Sequence, residues 1–164
     1  MAHPFRLMSR GLWLVIAALL TLGAPMAQAG PEIISTTDTE RIFDVAKNYG
    51  NVSLDIDRDG DPKIVGRING TRYSIFFYGC RNGRNCTDLM FYADWQRSPK
   101  TLEQLNEWNR MQRMSKAVIE RDGRLALQMP VNLQYGVTRG NLEASFDWWK
   151  DMLNDFVKTL VPGS

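Results

Sequence analysis

Tyr73-Ser-Ile-Phe-Phe-Tyr-Gly-Cys80, then Arg81-Asn-Gly-Arg-Asn85, then Cys86-Thr-Asp-Leu-Met-Phe-Tyr-Ala-Asp94 is the stretch that decides the fold. Two β-forming runs flank five polar residues with Gly83 at their centre, the pattern of a β-hairpin. Both cysteines of the chain stand where the strands meet the loop. Upstream, Lys63 to Ile68 reads as another strand, and Asn69-Gly70 as a two-residue type I′ turn into Thr71. That turn pairs Ile68 with Thr71, Gly66 with Tyr73 and Ile64 with Ile75. Placing Cys80 opposite Cys86 independently sets Phe77 against Leu89, Ile75 against Phe91 and Tyr73 against Ala93. The two registers agree on one apolar face of Ile64, Ile68, Tyr73, Ile75, Phe77, Leu89 and Phe91, and a slip of one residue would destroy that agreement.

The opposite face is graded. Lys63, Arg67 and Arg72 gather at one end near Asp55 and Asp57, and Phe76, Tyr78, Met90 and Tyr92 at the other. That second end is too apolar for a solvated face. We expect cover by a helix of the chain itself ahead of cover by a partner.

Further out, Val52 to Asp57 alternates as a strand with Val52, Leu54 and Ile56 on one side, followed by a turn from Asp57 to Pro62. Thr37-Asp-Thr-Glu40 reads as a capping box opening a helix that buries Ile42, Phe43, Val45 and Ala46, with Gly50 as its C-cap. Downstream, Ser98-Pro99 suits an N-cap and first helical position. The helix they open runs over Lys100 to Met114 with a stripe of Leu102, Leu105 and Trp108. Ala117 to Leu133 forms a hairpin around Asp122-Gly123, burying Leu125, Leu127, Met129, Val131 and Leu133. Pro130, which lacks an N–H, argues for an edge position there. Asn141 to Leu160 is a long helix whose seam of Leu142, Phe146, Trp149, Leu153, Phe156 and Leu160 packs on the sheet in preference to zipping a dimer. The expectation is an α+β fold, an antiparallel sheet of about six strands with three helices in the order α-β-β-β-β-α-β-β-α.

The chain of 164 residues allows one domain of ordinary size. Its start reads as a cleaved signal peptide over residues 1–29: Arg6 and Arg10, an apolar run from Gly11 to Gly23, then Ala27-Gln28-Ala29. The run is shorter than the roughly 20 residues a spanning helix needs, so no membrane span is expected after cleavage, and the protein is placed in the periplasm or outside the cell. The segment holds two basic residues and no carboxylate, so the remaining 30–164 domain carries 18 Lys+Arg against 18 Asp+Glu. A nucleic-acid binder would show a basic excess, and no nucleic-acid partner is expected. The single histidine, His3, lies in the leader. The remainder thus lacks the residue that usually activates Ser or Cys nucleophiles and supplies imidazole ligands. Two cysteines in an exported chain favour a disulfide, Cys80 to Cys86, and the chain-entropy effect of so small a ring is about 2 kcal/mol.

Several patterns invite chemistry and read better as turns. Asp55-x-Asp57-x-Asp59-Gly60 resembles the start of a calcium loop, but Gly66 stands where a bidentate Glu is needed and the flanks are strands; no metal or cofactor is expected. Asn51, Asn69 and Asn85 each head an acceptor triplet for glycosylation and are read as turn residues. Arg81 and Arg84 could hold an anion, although a solvated loop is the commoner case. Glu103, Glu107 and Asp88 show no spacing that pairs them for glycoside chemistry. Trp95, Tyr92 and Tyr78 could stack on a sugar, though such residues are usually packing.

Leu105-Asn-Glu-Trp-Asn-Arg110, the Val118–Leu133 hairpin, Phe77-Tyr-Gly-Cys80 and the Asp-Gly-Asp-Pro turn before Gly66 together resemble the YbjN-domain family, over roughly Thr37 to Leu160. Met114 stands where a Phe is usual, and Tyr135-Gly136 where Gly-Gly is usual. The resemblance implies a fold similar to type III secretion chaperones and a sensory transduction regulator, with no catalytic residues to carry over. The function expected is therefore an exported, non-enzymatic protein-binding module, chaperone-like or regulatory, with its partner surface at Phe76, Tyr78, Met90, Tyr92, Arg81 and Arg84 and a homodimer as one form. The alternative is a periplasmic small-ligand or glycan-binding domain with carboxylate-based catalysis.

Overall fold

The computed structural model describes residues 30–35, 38–97 and 100–161. The expected leader, Thr37 of the expected capping box, and Ser98-Pro99 lie outside the described residues. In chain order the elements are β1 (Ile33–Ile34), α1 (Thr39–Lys47), β2 (Val52–Ile56), β3 (Pro62–Ile68), β4 (Thr71–Tyr78), β5 (Asp88–Arg97), α2 (Leu102–Met111), β6 (Lys116–Ile119), β7 (Arg124–Asn132), β8 (Val137–Thr138) and α3 (Arg139–Leu160). Six strands form one antiparallel sheet in the order β2-β3-β4-β5-β7-β6, so the fold is α+β as expected. A two-stranded ladder of β1 and β8 is added, pairing Ile33 with Thr138 and Ile34 with Val137.

The register follows the turn chemistry. Asn69 and Gly70 both have positive φ, 49° and 82°, as a type I′ turn requires. Ile68 faces Thr71, Gly66 faces Tyr73 and Ile64 faces Ile75. The Cys80–Cys86 disulfide closes the next hairpin, with Phe77 opposite Leu89 and Ile75 opposite Phe91. The inner face so defined is buried throughout.

The helices cover that inner face. Every residue of the α3 seam, from Leu142 to Leu160, is buried. Phe91 meets Phe146 edge-on at 4.9 Å and Trp149 at 5.5 Å, and Tyr49 stacks on Phe146 at 4.9 Å. The seam is thus spent within the chain. Gly66 carries no side chain because the Tyr73 ring lies over it: a Cβ there would stand 2.8 Å from the ring and from Val52.

Four local expectations are corrected. Helix α1 begins at Thr39 behind Asp38, whose carboxylate accepts no cap hydrogen bond and instead accepts from the Ser35 N–H and hydroxyl at 3.0 and 3.1 Å. Helix α2 is shorter than Lys100 to Met114. A capping box of Thr101 and Gln104 fixes its start, which leaves Leu102 at the first helical position, exposed and off the buried stripe of Leu105 and Trp108. Pro130 lies on β7, an interior strand, yet β6 reaches only to Lys116 opposite Gln128, so at Pro130 the ladder has a neighbour on the β5 side alone. Leu54 and Ile56 share the face of Ile64 but are exposed, because β2 is the sheet's edge strand and lies beyond the helical cover.

Candidate functional site

The sheet's other face is open. None of Phe76, Tyr78, Met90 and Tyr92 is fully buried, and they line a cleft of about 1130 Å³. The expected cover by a helix of the chain is absent among the described residues: the buried apolar side chains of α1 (Ile42, Val45, Ala46), α2 (Leu105, Trp108) and the α3 seam all belong to the one core that packs on the inner face. A single strand order explains the cleft. Residues at alternate positions of β3, β4, β5 and β7 point outward, placing Lys63, Phe76 and Met90 in one cross-sheet row and Ser74, Tyr92 and Gln128 in the next.

Its floor is aromatic. The Phe76 and Tyr92 rings meet edge-on at 5.8 Å, and the Lys63 ammonium stands 6.0 Å above Phe76. Lys63 is itself tied to Asp55 at 2.9 Å. That hydrogen bond first, then the Ile56 N–H, holds the Asp55 carboxyl below the usual carboxylate range. Arg58 and the carboxylates of Asp57 and Asp59 stand on one wall, Glu120 and Arg124 on the other. Glu120 accepts from the Tyr92 hydroxyl at 3.3 Å and the Gln128 amide at 3.1 Å. Burial, and then the Glu120 carboxylate, push the Tyr92 phenol up to about 12. Burial and the nearby Asp57 and Asp59 also raise Tyr78. Arg124 pairs with Asp94 and, at 2.8 Å, with Asp122.

Arg81 and Arg84 do not join this lining. They are exposed in the disulfide loop, bridged to each other through their backbones. The loop lies against the β2–β3 turn, where a Cβ on Gly83 would stand 3.0 Å from the Gly60 carbonyl. The calcium-like stretch is that turn. Asp57 Oδ1 accepts from the N–H groups of Asp59 and Asp61 at 2.9 and 3.0 Å, and among the described residues no group of three metal-ligating side chains gathers. Asn69 and Asn85 have the positive φ of turn residues.

Trp95 and Trp108 both pack on Phe156, at 5.1 and 4.9 Å, Trp108 buried and Trp95 partly so. The Trp108 indole N–H donates to the Ser115 hydroxyl at 3.3 Å. Beside it, the Asn109 amide donates to the Ala117 carbonyl at 3.0 Å and accepts from the Ala117 N–H at 2.7 Å. The Asn-Glu-Trp-Asn stretch thus clasps edge strand β6, a structural task.

Glu120, Arg124 and Gln128 are the cleft residues that the sequence did not expose. They reach it because β7 pairs with β5, a contact between distant segments that no local pattern announces. Among the described residues no helix is long and apolar enough to cross a membrane.

A family model described as "YbjN: Putative bacterial sensory transduction regulator" matches residues 38–161. No curated protein matches the chain.

Proposed function

The chain belongs to the YbjN family, and on that membership and its open cleft we propose that it is an exported, non-enzymatic regulatory module that docks a protein partner on the outer face of its sheet. The observation that carries this is the cleft itself: Phe76, Met90 and Tyr92 form a floor of apolar side chains between charged walls, an arrangement suited to a protein interface with an apolar centre and polar rim. The family's description as a regulator supports a role in binding. Export rests on the leader-like residues 1–29.

The glycan or small-ligand alternative is less well supported. Its tryptophans pack on Phe156, Trp108 within the core and Trp95 partly buried against it. Two carboxylates beside the cleft already have partners, Asp94 in Arg124 and Glu120 in Tyr92 and Gln128.

Photocrosslinking tests the reading. A benzophenone amino acid replacing Tyr78 should capture a discrete protein in cells. The same probe at Tyr135, which is 96% exposed in the turn before β8, should not, and Phe76→Glu should abolish the capture at Tyr78. Capture of a second copy of the chain would identify a homodimer. Equal capture at both positions, or capture that survives Phe76→Glu, would refute docking on this face.

A further inference from the structure

Arg67 and Arg72 stand directly opposite each other on β3 and β4. Like charges in that position destabilise a strand pair. Neither side chain forms an ion pair with a carboxylate among the described residues. Arg72 reaches Asp55 only as the weakest influence on that carboxyl, behind Lys63 and Ile56.

The two arginines border a recess of about 460 Å³ together with Asn51, Ser53 and Val65. Its side-chain polar groups are guanidinium, amide and hydroxyl, and no carboxylate lines it. One Arg67 Nη donates to the Gly70 carbonyl at 2.9 Å, which anchors the guanidinium beside the type I′ turn and leaves its remaining N–H groups for another acceptor. Arg72 also borders the aromatic cleft, so recess and cleft adjoin at this residue. The charges along the cleft are distributed unequally. Asp55, Asp94 and Glu120 are held by Lys63, Arg124 and the Tyr92–Gln128 pair, and Asp57 by its own turn. Among the described residues that line the cleft and the recess, Arg67 and Arg72 are the cations that form no ion pair.

Resting on the docking reading above, we infer that the partner segment is acidic: a peptide whose apolar side chains lie on Phe76, Met90 and Tyr92 and whose carboxylate sits between Arg67 and Arg72. The guanidinium fork matches a carboxylate with paired hydrogen bonds, and neutralising one arginine of the pair removes the cross-strand repulsion as the peptide binds.

Two capped synthetic peptides test this, acetyl-Ser-Phe-Leu-Gly-Glu-Glu-Ser-amide and its twin with Gln for both Glu. They are titrated at low ionic strength, where surface charge is least screened, while the 15N spectrum of the protein is followed. The Glu peptide should bind about tenfold more tightly than the Gln twin and should shift the Arg67 and Arg72 side-chain Nε–H signals. That preference should vanish in Arg67→Gln/Arg72→Gln, whose exposed substitutions leave the melting profile as a check on folding. It should persist in Arg81→Gln/Arg84→Gln. Affinities within about twofold, a preference that survives the first double variant, or one lost in the second would overturn the inference. Failure of both peptides to bind would overturn it too. Crosslinking from Tyr78 does not depend on these charges, so the docking reading stands or falls separately.

Discussion

Tyr73, Phe77 and Phe91 are buried on one face of β4 and β5; Phe76, Tyr78 and Tyr92, their neighbours on the same strands, remain partly or largely exposed on the other. The two faces differ little in aromatic content. They differ in what lies above them. The inner face meets Trp149 and Phe146 of α3, and its side chains are apolar apart from the Tyr73 hydroxyl. The outer face carries Lys63, Arg72, Asp94 and Arg124 among its aromatic residues. Charge interleaved with aromatic residues keeps a surface soluble while leaving apolar area for a partner, whereas an uninterrupted apolar face must be covered within the chain.

The widest separation between the faces should appear on truncation. Trp149 is fully buried and touches Tyr73 and Phe91, so Trp149→Ala should cost about 3–5 kcal/mol. Phe76→Ala, which removes a ring of similar chemistry from the outer face, should cost less than about 1 kcal/mol. Urea unfolding of the two variants measures both. Equal losses would mean that the outer face is packed as tightly as the core, and the comparison would collapse.

A finer contrast comes from adding a methyl group instead of removing a ring. At Gly66 the new Cβ would stand 2.8 Å from the Tyr73 ring and from Val52, and Gly66→Ala should cost about 1–3 kcal/mol through displaced side chains. On the outer face, Ser74→Ala exchanges a hydroxyl for hydrogen at a half-buried position and should stay within about 0.5 kcal/mol of the parent. Melting temperatures report the difference. A tolerated Gly66→Ala would show that Tyr73 has freedom to move and that the inner face is looser than its burial suggests.

How much of this was legible depends on the range of the interactions. The Asn69-Gly70 turn and the two cysteines set the β3–β4–β5 register from local chemistry, and the pairings they imply for Ile64, Gly66, Ile68, Ile75 and Phe77 are present, while the β4–β5 ladder ends at Ser74 and Tyr92, one step short of Tyr73 and Ala93. The α3 seam was legible because its helical spacing runs unbroken for five turns. Helix ends were less so: α2 is capped by Thr101, with Gln104 completing a capping box, and not at the Ser98-Pro99 pair that reads as its N-cap and first position. The docking of β7 beside β5 was not legible at all, since nothing in Arg124 or Gln128 names Asp94 or Tyr92 as a neighbour. The same gap hid the cleft's second wall. Alternation identified the inner apolar face, but nothing local told that the graded outer face would stay without a helix among the described residues.

Alkaline titration gives the smallest and most specific contrast. The Tyr73 hydroxyl is buried and finds no partner among the described residues, and burial pushes its phenol from the ordinary 10.0 up to about 12. A phenol raised on folding stabilises the native state fully below its unfolded value, and that contribution is lost as pH rises toward the folded one. The window is therefore pH 10 to about 12. Between neutrality and pH 11, the parent should lose about 1 kcal/mol relative to Tyr73→Phe, which has no phenol to ionise. At neutral pH the two should be nearly equal, because the variant discards an unsatisfied polar atom along with its van der Waals contacts. Tyr78, 47% exposed and raised by burial and by Asp57 and Asp59, should give a smaller alkaline difference in Tyr78→Phe. Solvent reaching the exposed Tyr78 screens its ionised form, while Trp149 of α3 packs against Tyr73. Chemical unfolding of parent and variants at pH 7 and pH 11 reads this directly. An equal alkaline difference at the two tyrosines would mean that both faces are equally dry, and that something within the chain covers the outer one after all.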